Sequence, residues 1–251
     1  MKKYLKSEGD SKQVYEVSKL CEFVELVTWM SLDGKIVFRG QTRDWPLIPS
    51  VGRCPERSLF LSREYKILDE FKRESVPYLN IQPKNDWQWL SVAQHNRLPT
   101  RLLDWSKNPL AALWFSVKDP AAFESPSIVW CLNYIDKEAI YNTEKHDSPF
   151  DIDQLYLYFP EHVFPSIEAQ GGVFTVHYRE DENDSKFRPL EEIYEDEPKL
   201  VRIQIAPSFV PTLRYQLFRV GISPASLFPG ISGIVDKIRY DNMKCEDEVK
   251  S

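Results

Sequence analysis

Arg39 closes an apolar run, Ile36-Val37-Phe38, and is followed at once by Gly40 and Gln41. A guanidinium makes planar, two-point contacts to phosphate or carboxylate. A glycine beside it lets a ligand approach the backbone closely. Together they suit an anionic ligand such as a nucleotide diphosphate. The alternative is that Arg39 pairs with a carboxylate of the chain itself, Asp104 or Glu64. A second polar group follows at Gln94, His95, Thr100, Arg101 and Asp104. His95, at the end of a helical stretch, can be held charged by the helix dipole, cap end carbonyls, or exchange a proton. Asp104 sits inside apolar text and needs a partner, which an arginine supplies best; this makes it a brace under the pocket rather than a catalytic carboxylate. Further on, Glu168 and Gln170 precede Gly171-Gly172. Their acid and amide groups could reach a ribose hydroxyl or bond to nearby backbone.

These residues need elements to hold them. Val14, Val17, Cys21, Val24 and Val27 recur at helical spacing and predict a helix over 11–30, with Gly34 in the turn that follows. A short strand covers 36–38. Helices are expected over 62–75, with Ser62 as N-cap, and over 86–96. If 101–105 is a strand, Arg101, Leu103 and Trp105 face one way, and Leu102 and Asp104 the other. Asn108-Pro109 is an N-cap followed by proline at the first helical position, ahead of an apolar stripe of Leu110, Leu113, Trp114 and Val117. Residues 127–134 are apolar on both faces and predict a central strand. Further strands are expected at 154–159, 172–178 and 200–205, a helix over 209–220, and a short closing helix. The charged stretch 179–199 reads as a solvated excursion. The whole predicts one α+β domain over 1–240. A helical first part is followed by a mixed, mostly antiparallel sheet with flanking helices, and 241–251 form a flexible tail.

Composition narrows the classes. The 251 residues are 42% apolar, enough to bury a core, and carry a formal net charge of -6. That charge argues against a general nucleic-acid or anionic-membrane binder, though it leaves room for a local basic pocket. No signal-like apolar region and no run of ~18 apolar residues is present. Cys21, Cys54, Cys131 and Cys245 form no C-x-x-C pair, and Cys21 and Cys131 are expected to pack as small hydrophobes in a reducing cytoplasm. No metal is expected, because no His/Asp cluster has ligand spacing. A metal-dependent nuclease or hydrolase on His95 and Asp104 therefore ranks last.

Three pieces of the chain resemble the FRG domain family, named for its aromatic-Arg-Gly motif: FRGQ at 38–41, AQHNRLPTRLLDWSKNPLAALWFS at 93–116 and IEAQGGVFTV at 167–176. Asn96-Arg97 departs from the His-Gly-like pair expected after His95. Members of the family commonly occur in bacterial and phage proteins. More distantly, the order of polar residues is similar to ADP-ribosyltransferases of the Arg-Ser-Glu type, which implies an NAD pocket on a similar fold. On that resemblance Arg39 holds the diphosphate, with Gly40 and Gln41 beside it. Phe38, Trp45 or Trp105 stacks on nicotinamide. Ser106 stands in the second motif, and Glu168 or Gln170 orients the ribose. The expected binding set is Phe38, Arg39, Gly40, Gln41, Gln94, Thr100, Arg101, Asp104, Trp105 and Ser106, with His95, Glu168 and Gln170 in catalytic roles. The implied function is an NAD-consuming enzyme of bacterial or phage conflict, with an antitoxin-like protein as its implied partner; the alternative is a non-catalytic module that binds a nucleotide or a protein.

Overall fold

Residues 127–134 are buried at their first six positions, and a strand apolar on both faces must lie inside a sheet covered on both sides. In the computed structural model this strand has partners on both edges. The structure describes residues 5–7, 14–31, 35–53, 57–79, 81–119, 125–143, 148–161, 165–179, 187–195 and 197–242. In chain order the elements are β1 (Leu5–Ser7), β2 (Val14–Glu16), α1 (Leu20–Met30), β3 (Lys35–Gln41), α2 (Ser50–Arg53), α3 (Arg57–Ser75) and α4 (Asp86–His95). Next come β4 (Leu102–Ser106), α5 (Pro109–Val117), β5 (Ser127–Tyr134), β6 (Ala139–Ile140), β7 (Tyr156–Tyr158), α6 (Pro165–Gln170) and β8 (Gly172–Val176). The chain ends with α7 (Leu190–Ile193), β9 (Leu200–Ile205), α8 (Val210–Arg219), α9 (Pro224–Leu227) and α10 (Ile231–Asn242).

The strands form one mixed sheet in the order β1-β2-β9-β5-β3-β4-β8-β7-β6. Only β2–β9 and β6–β7 pair in parallel; the other neighbours run antiparallel. One face carries two helical clusters side by side. Phe38, Val129, Cys131 and Ile203 pack with Phe23 of α1, Leu113 of α5 and Leu213 of α8. Leu102, Phe174 and Val176 pack with Leu68 of α3 and with Trp87 and Leu90 of α4. On the other face Val37, Leu103, Trp105 and Trp130 lie under Leu47 and under Leu190 of α7. The α+β architecture and the mostly antiparallel sheet agree with the reading from sequence. So does the Asn108 cap, whose Oδ1 accepts from Leu110 N and Ala111 N.

Three expectations need correction. The helix predicted over 11–30 starts at Leu20, and Val14–Glu16 are a strand along β9, Val14 opposite Arg202. The helix start is set locally: the Glu22 carboxylate accepts from Ser18 N, Ser18 Oγ and Lys19 N. Within α1 the buried residues are Phe23, Leu26 and Val27, whereas Cys21 and Val24 are exposed. The helix predicted from Ser62 begins at Arg57. Within the charged stretch, Phe187 and Leu190 are buried, and Leu190 N donates to Leu47 O. Apolar side chains inside charged text therefore dock on the sheet. Cys54, Cys245, Gly34 and most of the predicted tail lie outside the described residues. Cys131 is fully buried, which pushes its thiol well up and leaves it a packing group.

Candidate functional site

The candidate site follows from an incomplete ladder. β3 pairs with β5 along its whole length, Lys35 with Tyr134 through Gln41 with Ile128. On its other side it meets β4 at a single pair, Phe38 with Ser106. That register would set Gly40 opposite Asp104. Instead the two strands part, and the Arg39 guanidinium enters the gap, its Nη1 donating to the Asp104 carbonyl at 2.7 Å. Nη1 also lies 3.8 Å from the Asp104 carboxylate.

Arg39 is neither on the outside nor sealed in. Its side chain is 14% exposed, while that of Asp104 is 59% exposed. Among the described residues the bond to Asp104 is its only hydrogen bond, and the buried Nε has no partner. Burial pushes its pKa down to about 10; Asp104 opposes this and the Arg53 charge adds to it. The group is still a cation at neutral pH, with its desolvation only partly compensated.

A chain of hydrogen bonds leads from this cation to α2. Gln94 Nε2, from the end of α4, donates to Asp104 Oδ2 at 3.0 Å, and Thr100 Oγ1 donates to Gln94 Oε1 at 2.7 Å. Ser50 Oγ accepts from Thr100 N and donates to Thr100 O. Gln94 thus carries Asp104 and Thr100 in one orientation, leaving the outer side of the carboxylate to solvent. His95 is exposed beside them; partial burial lowers its pKa and Asp104 opposes the shift.

The other predicted residues have different duties. Arg101 is 4% exposed and makes a two-point pair with Glu64, at 3.0 and 2.7 Å, while its Nη1 donates to the Pro149 carbonyl. Glu64 is therefore the partner of Arg101, not of Arg39. Asp104 is not the buried brace expected. Gly40 faces α5 rather than a ligand: a β-carbon there would fall 1.8 Å from the Ala112 carbonyl oxygen. Gln41 is buried and accepts from Trp130 Nε1 at 3.0 Å. Phe38 and Trp105 are buried on opposite faces, at 3% exposure each, whereas Trp45 is exposed. Ser106 Oγ closes a turn on Asn108 and donates to the Gln170 carbonyl. Gln170 Nε2 is engaged by the Leu227 carbonyl at 3.0 Å, and Glu168 is exposed on α6. No contact joins Glu168, Gln170 or Ser106 to Arg39 among the described residues.

Two groups escaped notice as site residues. Arg53, at the end of α2, adds positive charge beside Arg39. His177, just past β8, is buried at 1% exposure, and burial plus the Arg39 and Arg101 charges push its pKa down to about 3. The period-two alternation Val173, Thr175, His177 was the available signal for the latter. Among the described residues no group of three or more His, Cys, Asp or Glu could hold a metal ion, and no helix is long and apolar enough to cross a membrane.

No curated protein and no solved structure matches the chain. Residues 34–125 match the model of the FRG domain. That span contains β3, the end of α4, β4 and α5, the elements that meet around Arg39. This chain therefore carries an FRG domain over residues 34–125.

Proposed function

We propose that the β3–β4 cleft binds the diphosphate of a nucleotide, with NAD the ligand to which the likeness to ADP-ribosyltransferases points. One observation carries the reading: Arg39 is a buried guanidinium with a single backbone hydrogen bond, an unpartnered Nε, and a second guanidinium, Arg53, nearby. A largely desolvated cation that the protein compensates only in part, through the Asp104 carbonyl and a carboxylate 3.8 Å away, gains most from a bound anion. The Asp104 carboxylate, oriented by Gln94, supplies an acceptor for ribose hydroxyls at the mouth.

Turnover adds one step to binding. The bond between ribose C1′ and the nicotinamide nitrogen breaks, and its electron pair leaves with nicotinamide. Water or an acceptor then donates an electron pair to C1′ and releases a proton. Asp104 and His95 are the groups placed to meet the developing positive charge and that proton. NAD consumption would suit a role in bacterial or phage conflict. The non-catalytic reading is favoured by a separate observation, the engagement of Gln170 by Leu227. Calorimetric titration with NAD and ADP-ribose tests the binding reading: Arg39→Ala should weaken both by at least about tenfold. Equal affinity in the wild type and Arg39→Ala would remove the proposal. Nicotinamide release by the wild type, lost in Asp104→Asn, assigns an enzyme; binding without release assigns a module.

A further inference from the structure

A cavity of about 830 Å³ lies apart from the residues described above, between α5, α8, α9 and α10. Among the described residues four cations line it, Arg97, Lys118, Arg214 and Arg239. The one carboxylate among the described lining residues, Asp236, lies 3.7 Å from Arg239 Nη1. Positive charge is thus concentrated here in a chain whose net charge is -6. Aromatic rings form the walls. Trp114 and Phe228 meet at 5.8 Å, and Phe218 and Tyr240 at 5.1 Å. Rings and cations already associate: Lys118 Nζ lies 5.5 Å from the Trp114 centroid, and the Arg214 guanidinium 5.4 Å from that of Tyr240.

The backbone supplies an independent observation. Arg97 has φ 67°, the one left-handed residue other than glycine among those described. It ends α4 in a turn closed by Arg97 N to Gln94 O and Leu98 N to Ala93 O, the geometry in which glycine is favoured because a β-carbon is strained. A side chain kept at a position that asks for none points to a use for that side chain. Here it is a guanidinium lining the cavity.

We infer that this cavity is a second ligand site, separate from the β3–β4 cleft, and that it takes a small planar aromatic anion of the nucleoside monophosphate class. The volume of this half-open cavity is within the range of small-molecule sites. Base and phosphate match the alternation of rings and cations. The inference stands whether or not the Arg39 cleft binds a nucleotide.

The test is calorimetric titration of the full chain with adenosine and guanosine 5′-monophosphate. Arg97→Gly puts glycine where the backbone favours it, so its thermal midpoint should equal or exceed that of the wild type. Its nucleotide affinity should nevertheless fall by at least about tenfold, and Lys118→Gln should fall in the same direction. Introduced into Arg39→Ala, in which the β3–β4 cleft has lost its own anchor, Arg97→Gly should produce the same fall in affinity. No binding of either nucleotide at millimolar concentration, or unchanged affinity in Arg97→Gly, would overturn the assignment. Loss of binding in Arg39→Ala alone would move the nucleotide to the other cleft. Arg97-dependent binding of an acidic peptide without nucleotide binding would replace the ligand class.

Discussion

Arg39 and Arg101 read alike in sequence, each beside apolar residues and within reach of a carboxylate, yet the fold gives them opposite fates. Arg101 has both Glu64 oxygens, a backbone carbonyl and the Phe150 ring at 4.8 Å. It ties α3 to the start of β4 and offers nothing to a ligand. A buried pair of this kind is most sensitive to the loss of one member, because the other is left charged and unpaired. Glu64→Ala is expected to lower the unfolding free energy by about 3–5 kcal/mol in urea titrations. Replacing both, as Glu64→Leu with Arg101→Met, should recover part of that loss. A Glu64→Ala protein as stable as the wild type would show that the pair braces nothing. Arg39, by contrast, has a carbonyl and a distant carboxylate, so its substitution should be felt mainly in ligand binding.

At the scale of elements, Arg39 lies where α5 presses on one side of β3 while β4 pairs with it at a single position. The approach of α5 requires Gly40: its missing β-carbon is the space that the Ala112 carbonyl occupies, with Ser116 N at 2.7 Å from the same point. Both neighbours are helix backbone and cannot rotate aside. Gly40→Ala should therefore cost about 3 kcal/mol, the upper end of overpacking effects, and lower the thermal midpoint. If Gly40→Ala unfolds with the wild type, the glycine serves the ligand side after all. The Asn108 cap at the start of α5 was legible because its signal is local, three residues long. The purpose of Gly40 was not, since the helix that needs it lies some seventy residues further along.

For the whole molecule, acid stability carries the mark of the buried polar layer. His177 sits near Arg39 and Arg101, with Thr175 Oγ1 at 3.4 Å and Phe187 edge-on to its ring. Its folded pKa of about 3 lies below its ordinary 6.5. Between those values the unfolded chain binds a proton that the native state refuses. Stability therefore falls as the pH drops below about 6.5, by up to about 1.4 kcal/mol per unit from this group, and above 6.5 the group contributes no slope. Chemical denaturation at pH 7, 6 and 5 should show this. In His177→Gln the slope should lessen by about one proton, whatever the change in absolute stability. An unaltered slope would mean that His177 titrates normally.

Several features were determined by the amino-acid sequence alone: the helix α4, the cap and apolar stripe of α5, the two-faced central strand β5, the alternation along β4, and the aromatic-Arg-Gly motif. Each depends on residues within a few positions of one another, where propensity and periodicity act directly. Tertiary structure decided the rest. Val14–Glu16 became a strand because β9 offers a ladder. One arginine was neutralised by Glu64 and the other left facing a cleft. Gln170 was drawn to α9. These outcomes depend on which distant groups meet and how far water is excluded from them, so neither pairing nor burial is written in the local pattern.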